Sequence, residues 1–138
     1  MLSIQNVFIA EDDSDDQFFF SLAFKELCST CSLDMSFDGE ELLEKLENCL
    51  PQLPDLIILD INMPKLDGFQ TLSLIRTHAA LKNVPVIIYS TSSNHSIIKE
   101  AYEKGADYYM IKSRTFLKLK TELKKIVEGE VLQNKKSY

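Results

Sequence analysis

Glycine is scarce in this chain, four residues in 138, and the sequence contains no G-x-G-x-x-G and no P-loop. The usual backbone cradles for nucleotide phosphates are therefore missing. No apolar run approaches the roughly 18 residues a membrane-spanning helix needs. The N-terminal stretch reaches Glu11, Asp12 and Asp13 before a signal-peptide apolar region could form. The expectation is a cytoplasmic protein with no membrane association. Cysteine is sparse as well, at positions 28, 31 and 49. An odd, small number in a chain without a signal argues against a disulfide framework. Cys28 and Cys31 form a C-x-x-C, but no second pair or nearby histidine completes a zinc site. They read as two small residues at a helix end.

What is present describes a globular chain. It is 45% hydrophobic and 26% charged, enough for a real core. Its length fits one domain, 1–138, with a folded core over about 5–128 and a polar tail over 129–138. A net charge of −6 speaks against nonspecific nucleic-acid binding. The charge is unevenly spread: residues 112–138 carry eight basic and three acidic residues, leaving seven basic and eighteen acidic residues in 1–111.

Short apolar runs alternate with amphipathic segments. The runs are Val7–Ala10, Leu33–Phe37, Leu56–Leu59, Val86–Tyr89 and Tyr108–Ile111. Helical patterns fall near 15–28, 39–48, 67–77, 94–104 and 115–132. Five β-then-α units imply an α/β fold with a parallel sheet and helices on both faces, because each crossover must return over the sheet. The first, third and fourth runs are almost unbroken apolar segments, as in strands buried on both faces. The second alternates, as at a sheet edge. These features predict a doubly wound, flavodoxin-like sheet of order 2-1-3-4-5. Asp15 and Asp16 suit a helix start, and Gly105 suits a helix end. The last helix should bury Phe116, Leu119, Leu123, Ile126 and Val127, with lysines 118, 120, 124 and 125 solvated. Of the consecutive Phe18, Phe19 and Phe20, two should be buried and one partly exposed, although a docking surface is an alternative.

Sites in open α/β sheets form beyond the carboxyl ends of the strands. Strand 1 runs into Glu11-Asp12-Asp13, strand 3 into Asp60, strand 4 into Ser90-Thr91 and strand 5 into Lys112. Convergent carboxylates resist ionising together unless a cation joins them. Mg2+ suits them, being hard and content with carboxylate, water and phosphate oxygens. A carboxylate beside such a cation can attack phosphorus. Lys112 and Ser90 could then meet the equatorial oxygens of the transferred group. Asp60 is the best nucleophile, since it ends the central strand and opens the turn Asp60-Ile61-Asn62-Met63-Pro64-Lys65-Leu66-Asp67-Gly68.

The acidic pair Glu11-Asp12, the segment Asp60-x-x-Met63-Pro64-x-x-Asp67-Gly68, the hydroxyl at Ser90 and Gly105-Ala106-x-x-Tyr109-x-x-Lys112 together resemble the receiver domain of two-component response regulators, especially stand-alone, chemotaxis-regulator-like ones. The match covers about residues 5–128. The resemblance implies that Asp60 accepts phosphate from a phosphohistidine on a sensor histidine kinase or histidine phosphotransfer protein. It implies that Asp12, Asp60 and the Asn62 backbone carbonyl ligate Mg2+ and that Glu11 acts through a metal-bound water. Ser90 and Tyr109 would be the switch residues, and Lys112 would pair with the phosphate. Output would pass to a downstream protein through the helix 4–strand 5–helix 5 face, from a monomer or weak homodimer. No enzymatic turnover beyond self-phosphotransfer and self-dephosphorylation is implied.

Two positions depart from the family pattern. Glu11 stands where aspartate is commoner. Lys112-Ser113 replaces a Lys-Pro with a cis bond, and a cis bond before serine costs roughly 3 kcal/mol, so the loop carrying Lys112 could differ. Two other classes compete. A Mg2+-dependent phosphatase would need a second acid after Asp60, yet Asp60-Ile61-Asn62 lacks it. An unphosphorylated scaffold would not need the intact set of acids, Ser90 and Lys112.

Overall fold

Five strands and five helices alternate along the chain in a computed structural model that describes residues 4–129 and 132. The strands are β1 (Asn6–Ala10), β2 (Ser32–Ser36), β3 (Leu56–Leu59), β4 (Val86–Ser90) and β5 (Tyr108–Ile111). The helices are α1 (Ser14–Leu27), α2 (Gly39–Cys49), α3 (Gly68–Thr77), α4 (His95–Glu103) and α5 (Phe116–Val127). All strand pairs are parallel and the order is β2-β1-β3-β4-β5, as the pattern of buried and half-buried runs predicts. The fold is the doubly wound, flavodoxin-like one.

The two-residue period of the strands divides the core. Val7, Ile9, Leu56, Ile58, Ile87, Tyr89 and Met110 pack on one face with Phe20, Phe24, Leu119, Leu123 and Ile126 of α1 and α5. Phe8, Ala10, Ile57, Leu59, Val86, Ile88 and Tyr109 point the other way, against Leu42, Leu46, Leu72, Ile75 and Ala101 of α2, α3 and α4. Each large aliphatic side chain so buried contributes about 1.5–3 kcal/mol. A slip of one residue would exchange the two sets.

Side chains cap each helix start. Asp13 accepts from the Asp15 and Asp16 amides, and Asp38 from Glu41. Asp67 and Gln70 form a reciprocal capping box. Asn94 and Thr115 cap α4 and α5. Gly105, at φ 108°, turns the chain after α4 in the left-handed region. Arg76 of α3 ties the loops together, donating to the carbonyls of Gly105, Lys82 and Val84 and pairing with Asp107 at 3.0 Å.

Three expectations are corrected. Cys28 and Cys31 are joined in a disulfide, with Cα atoms 5.4 Å apart. The turn that follows α1 closes with Cys31 N–H donating to the Cys28 carbonyl, which brings the two side chains together. Only Phe20 of the three consecutive phenylalanines is buried, while Phe18 and Phe19 are 61% and 52% exposed. The core-facing row of α1 is Phe20, Ala23, Phe24 and Leu27, at spacings of three and four. In α5 (Phe116–Val127), Phe116 and Val127 pack against the core only partly, while Leu132, helical at the far end of the expected 115–132 span, is buried in that core. Residues 130–131 and the tail from Gln133 to Tyr138 lie outside the described residues.

Candidate functional site

The sheet's hydrogen-bond ladder runs one step past the strands and sets the site. The Asp60 amide donates to the Ala10 carbonyl, Glu11 to Ser36, and Lys112 to Ser90. Each reactive residue is therefore the first after its strand, fixed in register with its neighbour. Glu11, Asp12 and Asp60 each present a carboxylate oxygen within 4.8 Å of the others. The acids that begin at separate places in the chain do converge. Glu11 and Asp60 are buried, and Asp12 is exposed at the mouth.

Lys112 closes the group from β5. Its Nζ lies 2.5 Å from Glu11 Oε1, 2.9 Å from Asp16 Oδ2 and 3.3 Å from Asp60 Oδ2. The bond to Ser113 is not cis, since the cis peptide among the described residues is Leu50–Pro51. Lys112 reaches Asp60 all the same. Burial alone would lower its pKa, but Glu11, Asp16 and Asp60 outweigh that and raise it. The ammonium also sits 5.2 Å from the centre of the Tyr89 ring, whose hydroxyl burial pushes up to about 12.

Glu11 holds the least comfortable charge. Its Oε2 accepts from the Asp13 amide at 3.1 Å. Oε1 has no hydrogen bond of good direction, so its approach to Lys112 is an ion pair rather than an aligned bond. Burial pushes the carboxyl up from 4.5 to about 7; Lys112 opposes the rise, and the Asp60 charge adds to it. A buried carboxylate with an undirected oxygen beside two other acids fits a divalent cation with oxygen ligands.

The turn after Asp60 needs its glycine. A Cβ at Gly68 would stand 2.2 Å from the Asp60 carbonyl oxygen, and the Gly68 amide donates to Ile61. Helix α3 thus begins against the backbone of Asp60. Asn62 lies two residues beyond Asp60 on this loop and is exposed.

Ser90 and Tyr109 line the β4 side. Ser90 is buried, and its Oγ accepts from the Ser92 amide at 3.2 Å. Tyr109 is turned inward, and its hydroxyl donates to the Ser92 carbonyl at 2.8 Å. Ser92 therefore links the two. Asp16 was absent from the residues expected at the site. Its sequence signal, a fourth acid within six residues of Glu11, is indistinguishable from a helix-start charge.

The family model described as the response regulator receiver domain matches residues 7–124. The chain belongs to that family. Among its relatives is the "Probable methanogenesis regulatory protein FilR2" of Methanothrix harundinacea, 30% identical over 88% of this chain and 81% of the relative. Response regulator Rcp1 of Synechocystis sp. is 38% identical over 55% of this chain and about half, 49%, of its own length. Among solved structures, the phosphorylated cyanobacterial phytochrome response regulator RcpA superposes with a TM-score of 0.82 at 30% identity, over 91% of this chain and 93% of RcpA. The Mn(2+)-bound form of Rcp1 superposes with a TM-score of 0.76 at 27% identity, over 92% of this chain and 94% of that one. The receiver fold and two-component signalling class follow. Among the described residues of this receiver, no helix is long and apolar enough to cross a membrane.

Proposed function

We propose that this receiver takes a phosphoryl group onto Asp60 from a phosphohistidine of a sensor histidine kinase or histidine phosphotransfer protein. The observation that carries the proposal is the meeting of three carboxylates within 4.8 Å beside the Lys112 ammonium, 3.3 Å from Asp60. In the step, an Asp60 carboxylate oxygen bonds to phosphorus while the phosphorus–nitrogen bond to the histidine breaks and the imidazole leaves. Glu11, Asp12, Asp60 and the Asn62 carbonyl are the residues that would hold Mg2+, Glu11 through water. The cation supplies positive charge against the transferred oxygens. Lys112 donates to the group, and the Ser90 hydroxyl reorients toward it.

Output follows from the same contacts. When Ser90 turns to the phosphoryl group it gives up the Ser92 amide, and Ser92 also holds Tyr109. The β4–α4 loop and Tyr109 thereby form a two-arrangement element that phosphorylation biases. The face of α4, β5 and α5 would present the change to a downstream protein. Ile111 and Leu117, both exposed, supply apolar contacts there. The protein is read as a single domain, cytoplasmic, and a monomer or weak homodimer.

The test is intact mass after incubation with acetyl phosphate and Mg2+. Wild type should gain one phosphoryl group, and Asp60→Asn should gain none. A gain in both, or in neither, would refute the assignment.

A further inference from the structure

Lys112 has more anionic partners than the phosphoacceptor reading requires. The Asp16 carboxylate, from the first turn of α1, lies 2.9 Å from Nζ, closer than Asp60 at 3.3 Å. It does not belong to the three carboxylates that converge for a cation. Of the three N–H groups of the ammonium, two donate to Asp16 and Asp60, and Glu11 lies beside it as an ion pair. Its remaining surroundings include the Tyr89 ring. Lys112 is therefore shared among three anions, with aligned hydrogen bonds to Asp16 and Asp60 and an ion pair to Glu11.

A phosphoryl group on Asp60 brings further negative oxygens to an ammonium that three carboxylates already crowd, so it competes with them for Lys112. The three candidates differ in what release would cost. The Glu11 side chain is 1% exposed, so release would leave a buried carboxylate unpaired. Asp60 carries the phosphoryl group itself. The Asp16 side chain is 38% exposed, and water can solvate it once Lys112 has gone. Arg114 lines the same small cavity of about 50 Å³ as Asp16, Phe19 and Tyr89, and offers a second cation nearby.

We infer that Asp16 is a positioning residue that competes with the phosphoryl group for Lys112, so that phosphorylation of Asp60 exchanges the Lys112–Asp16 pair for a Lys112–phosphoryl pair. The inference rests on Asp60 being the phosphoacceptor. Asp16 steadies Lys112 within reach of Asp60 before the reaction, and it opposes the phosphorylated state. The exchange also removes the Lys112 tie on the first turn of α1, which Asp13 still caps, just ahead of the exposed Phe18 and Phe19. Phosphorylation thereby reaches α1 by a route separate from Ser90 and Tyr109.

The test uses beryllofluoride, a stable stand-in for a phosphoryl group on a carboxylate, with Mg2+ and 19F NMR of the bound species. Asp16→Asn should bind it roughly three- to tenfold more tightly than wild type, the scale of one partly exposed ion pair. Tighter binding is a result that a damaged fold does not give. Asp16→Glu, which keeps the charge, should stay near wild type. Asp15→Asn removes a neighbouring charge that makes no ion pair with Lys112, and should change affinity less than twofold. In a Lys112→Met background, Asp16→Asn should bring no gain. Unchanged or weaker binding by Asp16→Asn, or an equal gain from Asp15→Asn, overturns the inference. Equal binding by wild type and Asp60→Asn would instead overturn the phosphoacceptor assignment, and this inference with it.

Discussion

Glu11 is the residue whose charge the fold tolerates least, and replacing it should change the pH dependence of stability. Burial, opposed by Lys112 and reinforced by the Asp60 charge, raises its carboxyl from 4.5 to about 7. The folded protein therefore holds a proton between those values that the unfolded chain releases. Unfolding in that window loses protons, so stability falls as pH rises from 4.5 toward 7 and levels off above it. At about 1.4 kcal/mol per pH unit, allowing for titration already under way at pH 5, the drop from pH 5 to pH 8 is about 2–3 kcal/mol. Glu11→Gln keeps the shape and removes the titration. The informative quantity is the gap between the two proteins at each pH, because any constant loss of contact with Lys112 cancels from its change. Urea unfolding at pH 5, 6, 7 and 8 in the presence of a chelator measures it directly. Wild type should lose about 2–3 kcal/mol relative to Glu11→Gln across the series. Added Mg2+, which favours the ionised carboxylate, should stabilise wild type more at pH 8 than at pH 5. A gap that stays constant within about 0.5 kcal/mol, smaller than a single hydrogen bond, would refute the reasoning.

Gly68→Ala should cost at least about 2 kcal/mol in urea unfolding and slow phosphoryl uptake, because its Cβ would meet the Asp60 carbonyl oxygen at 2.2 Å. Arg76→Ala should cost about 3 kcal/mol by the same assay, since it strands two partly buried carbonyls and the partly buried Asp107; a loss below that of an ordinary surface substitution would argue against the clamp. Tyr109→Phe should cost about 1 kcal/mol and speed amide exchange at Ser92 and its neighbours, because its hydroxyl holds the Ser92 carbonyl. Unchanged exchange there would separate Tyr109 from the β4–α4 loop.

Much of the fold was legible because it is written in local periods. Unbroken apolar runs marked β1, β3 and β4 as interior, and the alternating run marked β2 as an edge; all four took those places. The candidate site was legible for a related reason. A parallel sheet aligns the first residue after each strand, so Glu11, Asp60 and Lys112 could be placed together from chain order alone, and their amides do continue the ladder. The departure at Ser113 did not displace Lys112, because the ladder bond to Ser90 and the three carboxylates fix it independently of the loop that follows.

Other features depended on distances that no period encodes. The helical repeat says that Phe18, Phe19 and Phe20 point in different directions, but only the docking of α1 against α5 chose Phe20 for the core. The C-x-x-C spacing is compatible with open thiols or a bond, and the turn after α1 chose the bond. Arg76 reads as a helix-end cation until the loops it joins have folded around it.

The sequence by itself determined the strand order and which chemical groups arrive at the carboxyl edge of the sheet, because side-chain alternation and parallel pairing leave little freedom in either. Tertiary structure alone decided how those groups share charge: that burial raises the Glu11 carboxyl to about 7, and that Asp16, from a helix rather than a strand end, takes part of Lys112. Burial and ion-pair distance depend on how separate elements pack, and spacing along one chain does not specify that.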